Sequence, residues 1–434
     1  MNRKEKILNF INVLEEEEKT FIPQFCHNLK ALNAEKVYYG GPSFSKEEIV
    51  EAIDTLLFGK WLASGESVVK FEKEFSKKIN QKYCLMVNSG SSANLVMIAA
   101  LKKYFNWKDN DEILISVVGF PTTLNPIIQN NLKPVFLDIE FETLNFDLKE
   151  LEQKITKNTK GIFISPVLAN PPDIDKLIEI SKKYNIELIL DGCDSLGSKW
   201  DNKHLNEYCV ASSCSFYPAH HLTTGEGGMV SSDIEEVVKL ARSFAWWGRD
   251  CYCIGSCNLL KNGTCNKRFG NWIPEIAQEI DHKYFFTNIG YNLKPLDLQG
   301  SIGLVQLNKM DDFHNMRIKN KNKIENIFKK YLTKITFPSV FSKSEVSWFA
   351  VPFICDSYQT KKDIVFYLEN NGIQTRNYFA GNILVHPAYK HLDLWQKYPN
   401  ANMVLEKVFF LGCSPTISEE NIKHIEKVIQ KYEK

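Results

Sequence analysis

Short apolar runs and amphipathic stretches alternate along most of the first 310 residues. "YCLMVNSG" (83–90), "EILISVVGF" (112–120), "KPVFLDIE" (133–140), "GIFISPVL" (161–168) and "IELILDGCD" (186–194) are apolar runs of strand length. Between them lie segments of helical period, among them a helix from Ser91 and "IDKLIEISKKYN" (174–185). Strands of this kind are buried on both faces, as in a mostly parallel sheet packed between helices. "SKEEIVEAIDTLLFG" (45–59) opens on a Ser-x-x-Glu capping box, and the charged "MNRKEKILNFINVLEEEEKT" reads as an amphipathic helix. Beyond "GYNLKPLDLQGSIGLVQLNKM" (290–310) the rhythm changes to a long charged helix and shorter strands such as "SWFAVPFIC" (347–355). The expected organisation is an N-terminal helical extension (1–44), a large α/β domain (45–310) and a smaller C-terminal α+β domain (311–434). Basic residues from Arg317 to Lys323 fall on the helical pattern and are expected to form a solvated face.

Charge and composition narrow the class. The chain has 434 residues, 44% hydrophobic and 24% charged, with a net charge of +1. That balance gives no support to nucleic-acid or membrane-surface binding. No run of about 18 apolar residues is present, and the charged N-terminus lacks the apolar core of a signal peptide. A cytoplasmic protein is expected.

Eleven cysteines then stand out. In a reducing compartment, clustered thiols favour metal or redox chemistry over disulfides. Cys26, Cys84, Cys209, Cys214, Cys355 and Cys413 are scattered singly and read as small buried hydrophobes. Cys251, Cys253, Cys257 and Cys265, in "CYCIGSCNLLKNGTC", form a cluster that suits a structural zinc or an iron–sulfur centre; its spacing does not decide between them, and Cys-x-Cys is tight for either.

Three further segments carry candidate chemistry. "VNSGSSAN" sets Gly90, Ser91 and Ser92 between a strand and a helix start, where free amides receive anions. In "ILDGCDSLG", Asp191 ends an apolar strand and reads either as a helix cap or as the partner of a protonated pyridine. "SFYPAHHLTTGEGGMV" (215–230) carries adjacent histidines ahead of a Gly-Glu-Gly-Gly turn.

In this order, these segments resemble the sugar aminotransferase/dehydratase family of fold-type-I pyridoxal-phosphate proteins. The resemblance runs from "FGKWLASGESVVKFEKEF" to "GYNLKPLDLQGSIG", and less sharply to the C-terminus. It implies a large, mixed and mostly parallel sheet domain of the aspartate aminotransferase type, plus a smaller C-terminal domain. By the same resemblance Gly90, Ser91, Ser92 and Ser215 hold the cofactor phosphate, and Phe120 stacks on the pyridine ring. Asp191 pairs with the ring nitrogen and Asp194 lies near the 3-hydroxyl. Asn292 reaches the neighbouring subunit's phosphate, implying a homodimer. Lys294 stands where the family usually has arginine, and Leu190 where an acidic residue often precedes the aspartate.

His220 occupies the position of the family's cofactor-holding lysine. Imidazole cannot hold pyridoxal phosphate as a Schiff base, so the expected cofactor is pyridoxamine phosphate (PMP), whose own amine condenses with a ketone. An imidazole with an ordinary pKa near ~6.5 suits proton removal at neutral pH. His221 reads as structural.

"SFYPAHH", "WGRDCYC" and "TCNKRFG" look more narrowly like the CDP-4-keto-6-deoxy-D-glucose 3-dehydrase family, which carries a [2Fe-2S] cluster beside PMP. That pattern implies Cys193, Cys251, Cys253 and Cys265 as ligands, although the insertion "LLKN" leaves Cys257 competing with Cys265. It also implies a nucleotide-sugar substrate, loss of its C3 hydroxyl, and an NADH-dependent iron–sulfur flavoprotein reductase as partner. Arg376, in "QTRNYFAGNI", is a candidate contact for the substrate's diphosphate or sugar, or else a surface ion pair. The alternatives are a cluster-free colitose-type GDP-sugar 3-dehydratase and a non-catalytic, zinc-stabilised relative.

Overall fold

Each apolar run becomes a strand, shortened where its carboxyl end turns into the following loop. The computed structural model describes residues 2–19, 34–251, 253, 259–260 and 265–432. Strands β1 (Tyr83–Val87), β2 (Glu112–Ser116), β3 (Lys133–Leu137), β4 (Thr159–Ile164), β5 (Glu187–Asp191), β6 (Ala211–Ser215) and β7 (Gly228–Ser232) form one seven-stranded sheet. Their spatial order is β1-β7-β6-β5-β4-β2-β3. β3, β2, β4, β5 and β6 run parallel, while β7 is antiparallel to both of its neighbours.

Both faces of this sheet are covered, which is why its strands do not alternate with polar residues. Ile113 and Ile115 face a core shared with Ala93, Val96 and Met97 of the helix Gly90–Tyr104. Leu114 faces the opposite core with Ile174, Leu177 and Ile180 of the helix Ile174–Tyr184. The expected capping box is present: Ser45 caps the helix Lys46–Phe58, and the Glu48 carboxylate accepts from the Ser45 amide at 2.8 Å. The N-terminal helix Arg3–Glu18 buries Ile7 and Ile11 against Val50.

A second sheet follows the helix Met310–Tyr331. It consists of β8 (Ala350–Cys355), β9 (Thr375–Asn377) and β10 (Val408–Gly412), with Ile335–Thr336 at its edge beside β8 and β10 between β8 and β9. Among the described residues no helix is long and apolar enough to cross a membrane.

One expectation is overturned here. The basic stretch from Arg317 is not uniformly solvated: Lys319 and Lys323 reach out to Glu419, but Arg317 is only 1% exposed. Arg317 falls in phase with Met310, Phe313, Asn320 and Ile324 on the buried side of its helix.

Candidate active site

The carboxyl ends of the parallel strands open into a cleft of about 770 Å³, the edge where open α/β sheets bind ligands. β5 ends at Asp191, which lies opposite Ser213 of β6. Cys193 is therefore not part of the strand. It lies beyond the strand's end, and its thiol still lines the cleft. The buried Asp191 carboxylate accepts from Asn94 Nδ2 at 2.8 Å and Thr123 Oγ1 at 2.7 Å on one oxygen. Its other oxygen accepts from the Cys193 amide at 3.2 Å and Ser213 Oγ at 3.4 Å. These donors fix the carboxylate's orientation; Asn94, Thr123 and Ser213 were not singled out from the sequence.

The anion cradle begins one residue earlier than expected. Gly90 opens the helix, and Ser89 caps it by accepting from the Ser92 amide at 3.1 Å. Ser89 Oγ also donates to Ser92 Oγ at 2.9 Å, so Ser92 belongs to the cap, while Ser89, Gly90, Ser91 and Ser215 line the cleft. The first amides of a helix have no intrahelical partner and are available to an anion. Glycine at position 90 is a steric requirement, because a Cβ there would lie 2.4 Å from Ser215 Cβ and 3.0 Å from Cys193 Sγ. Phe120, 52% exposed as a residue, precedes the helix Pro121–Gln129 and lines the cleft, its ring edge-on to Phe379 at 5.8 Å between centroids.

The histidine loop is the hairpin between β6 and β7, closed where Ser215 faces Gly228. His220 lines the cleft, and its ring packs against Phe349 at 5.2 Å and Tyr217 at 6.3 Å between centroids. Its Nδ1 is buried without a hydrogen-bond partner, 3.6 Å from Asp194 Oδ1. Burial, helped by the nearby Arg317 charge, pushes the imidazole down to about 3. His220 is thus a neutral imidazole rather than the half-titrated group expected from an ordinary histidine. Burial and the Asp191 charge push Asp194 up to about 8, against a backbone hydrogen bond from Leu168. His221 turns away from the cleft, and its Nε2 donates to the Ser347 carbonyl at 2.6 Å.

Both histidines give the protein an acid-side instability. Burial holds His221, like His220, well below its ordinary pKa of 6.5. A group depressed in the folded state stabilises above its unfolded pKa and loses that contribution as pH falls. Cofactor-free protein is therefore expected to lose up to ~1.4 kcal/mol per pH unit per histidine below about pH 6.5. Urea unfolding between about pH 5 and 7 checks this, with a shallower slope expected in His221→Gln.

The remaining predicted residues are dispersed. Arg376 of β9 lies at the cleft mouth, its guanidinium over the Tyr39 ring at 4.1 Å. Asn292 lies outside the cleft of its own chain, and its Oδ1 accepts from Lys294 Nζ. Cys251 and Cys253 are half-buried and Cys265 is exposed. Among the described residues no three His, Cys, Asp or Glu side chains are gathered to hold a metal. The expected four-thiolate group is not assembled in this structure, and Cys257 lies outside the described residues. Cys193 packs instead against Ser213 Oγ at 3.9 Å, and burial beside Asp191 keeps its thiol protonated. Of the scattered cysteines, Cys84, Cys214, Cys355 and Cys413 are buried and Cys209 is half-buried; Cys26 is outside the described residues.

An anion cradle with no room for a Cβ, an oriented carboxylate and an exposed aromatic face fit a pyridoxal-type cofactor. With this strand order they define an enzyme of fold type I. A family model described as the DegT/DnrJ/EryC1/StrS aminotransferase family matches residues 44–430, and the chain belongs to that family. It is 34% identical over 401 residues to the lipopolysaccharide biosynthesis protein RfbH of Salmonella typhimurium, covering 91% of this chain and 90% of the other. It is 34% identical over 379 residues to a dTDP-4-dehydro-2,6-dideoxy-D-glucose 3-dehydratase of Saccharopolyspora spinosa, covering 86% and 81%. Among solved structures, the E. coli GDP-4-keto-6-deoxy-D-mannose-3-dehydratase with bound hydrated PLP superposes with a TM-score of 0.79 at 29% identity. That superposition covers 91% of this chain and 99% of the other. The chain is an enzyme of the pyridoxal/pyridoxamine-phosphate class. Yet no lysine lines its cleft among the described residues.

Proposed function

We propose that this enzyme removes the C3 oxygen of a nucleotide-linked 4-keto-6-deoxyhexose, with PMP as a carried amine and His220 as the base. The observation that carries the reading is a buried imidazole nitrogen without a hydrogen-bond partner, in a cleft lined by no lysine among the described residues. The names of relatives as sugar 3-dehydratases support it.

When bound, PMP supplies an amine that condenses with a ketone and a ring that accepts the electrons of a breaking bond. Gly90, Ser91 and Ser215 would hold its phosphate, Phe120 would cover its ring, and Asp191 would pair with its ring nitrogen. His220 Nδ1 takes the proton whose removal starts elimination. Being neutral, the imidazole is in the accepting state throughout the physiological pH range. Asp194 Oδ1 lies 3.6 Å from that nitrogen, too far to hydrogen-bond it. Arg376 binds the substrate's diphosphate.

Loss of the C3 hydroxyl as water leaves the product two electrons short of a 3,6-dideoxysugar. In the finer reading the substrate is CDP-4-keto-6-deoxy-D-glucose, and the electrons come from NADH through an iron–sulfur flavoprotein reductase. A [2Fe-2S] cluster on Cys193, Cys251, Cys253 and Cys265 would pass them on. The enzyme works in the cytoplasm as a homodimer. Exposed Leu56, Leu57, Phe58 and Leu62, joined to Leu296 through the Ala63–Leu296 bridge, support a covered apolar face. A second reading is cluster-free C3 deoxygenation of a GDP-sugar, in which PMP itself would supply the two electrons, ending as pyridoxal phosphate with its nitrogen released as ammonia. It is favoured by the dispersed cysteines and by the names of the GDP-sugar relatives.

Protein purified without air tests the two. About two irons and two sulfides per chain, with turnover of the CDP-sugar, are expected. Zinc alone, or no metal with turnover of the GDP-sugar, would overturn the cluster and select the second reading.

A further inference from the structure

The histidine loop is held by a group that neither the cofactor nor the substrate explains. Arg317 is 1% exposed on the helix Met310–Tyr331. Its Nη2 donates to the carbonyl of His220 at 2.9 Å and, at 3.5 Å, to that of Ala219. Its Nη1 donates to the carbonyls of Phe349 at 3.0 Å and Trp348 at 3.3 Å. Among the described residues no carboxylate pairs with this guanidinium. Its electrostatic neighbour is the Cys413 thiol, which burial pushes up to about 11 and so keeps uncharged. Burying a cation among uncharged partners alone is costly. Here the fork joins the main chain of His220 to that of Phe349, whose ring packs against the His220 imidazole. A single planar group thus fixes both the backbone that carries the imidazole and the wall the imidazole leans on. Lysine, a flexible point charge, does not reproduce that fork.

We infer that Arg317 is a positioning residue for His220, bridging the histidine loop to the 348–349 segment so that the imidazole nitrogen is held toward the cleft. This rests on the reading of His220 as the base.

The test is Arg317→Met in the full chain, read by uptake of solvent deuterium at the C4′ carbon of bound PMP. The exchange rate is expected to fall about 100-fold, the cost of a misplacement of about an ångström. PMP affinity and the keto-sugar KM should stay within about threefold, and added guanidinium should restore part of the rate. Without cofactor, the imidazole NMR signal of His220, assigned by its loss in His220→Asn, should shift or split while that of His204 does not. A wild-type exchange rate, or PMP affinity lost in step with the rate, would overturn the inference. Should the methionine variant not fold, Arg317→Lys is expected to fold, keep PMP and lose roughly tenfold in rate; a wild-type rate there overturns it equally. Unchanged exchange in His220→Asn would sink the base assignment instead, and the His220 signal in the Arg317 variants would then decide the positioning claim on its own.

Discussion

Replacing His220 by asparagine is expected to lower C3 deoxygenation by roughly 10²–10⁴-fold, the usual contribution of a positioned general base. Cofactor binding should barely change, because the groups assigned to hold it come from other segments: Gly90 and Ser91 from the helix start, Asp191 from β5, Phe120 from the helix at Pro121. Asparagine keeps a polar side chain in the space beside Phe349 but accepts no proton near neutral pH. An absorbance titration with PMP and a mass-spectrometric assay of the sugar product separate the two effects. Wild-type deoxygenation in the variant would exclude His220 as the base.

The second large effect is at Asp191. Asp191→Ala strands Asn94 Nδ2 and Thr123 Oγ1, which donate to the carboxylate at 2.8 and 2.7 Å inside the sheet. Each buried donor left unpaired costs about 1–3 kcal/mol, so urea unfolding is expected to register a loss of roughly 2–4 kcal/mol. Asp191→Asn, nearly isosteric, should keep most of that stability. In the role proposed for Asp191, removing its charge takes away the ring nitrogen's partner, which makes the cofactor an electron sink. Turnover should fall at least ~10³-fold in both variants, because the charge stabilises the transition state more than the bound cofactor. An asparagine variant with wild-type turnover would break the assignment of Asp191.

How much of this was legible beforehand differs from residue to residue. The alternation of apolar runs gave the parallel sheet, because strands covered on both faces leave no polar alternation to misread. Gly90 and Asp191 stood out because one opens a helix and the other ends a strand, where local pattern and ligand edge coincide, whereas His220, in the loop between β6 and β7, stood out only by the resemblance. Asn94 and Thr123 were not. They reach Asp191 from separate helices, and nothing local distinguishes a buried asparagine on a helix from an exposed one. Arg317 was misread because its neighbours Lys319, Lys321 and Lys323 set the impression of a solvated face. The signal was nonetheless present, since Met310, Phe313, Arg317, Asn320 and Ile324 recur at helical spacing. The spread of the thiols in three dimensions was equally out of reach. Cys193 lies in the cleft floor, Cys265 on the surface, and spacing along the chain fixes neither.

Oxygen removal from a ketosugar, rather than amine transfer to it, is what a cleft lined by no lysine among the described residues is expected to carry out. Its most direct test is single-turnover mass spectrometry with PMP-loaded enzyme and a nucleotide 4-keto-6-deoxyhexose carrying oxygen-18 at C3. The label is expected to leave as water, and no nitrogen to remain on the sugar. A 4-amino sugar that keeps the labelled oxygen would contradict it.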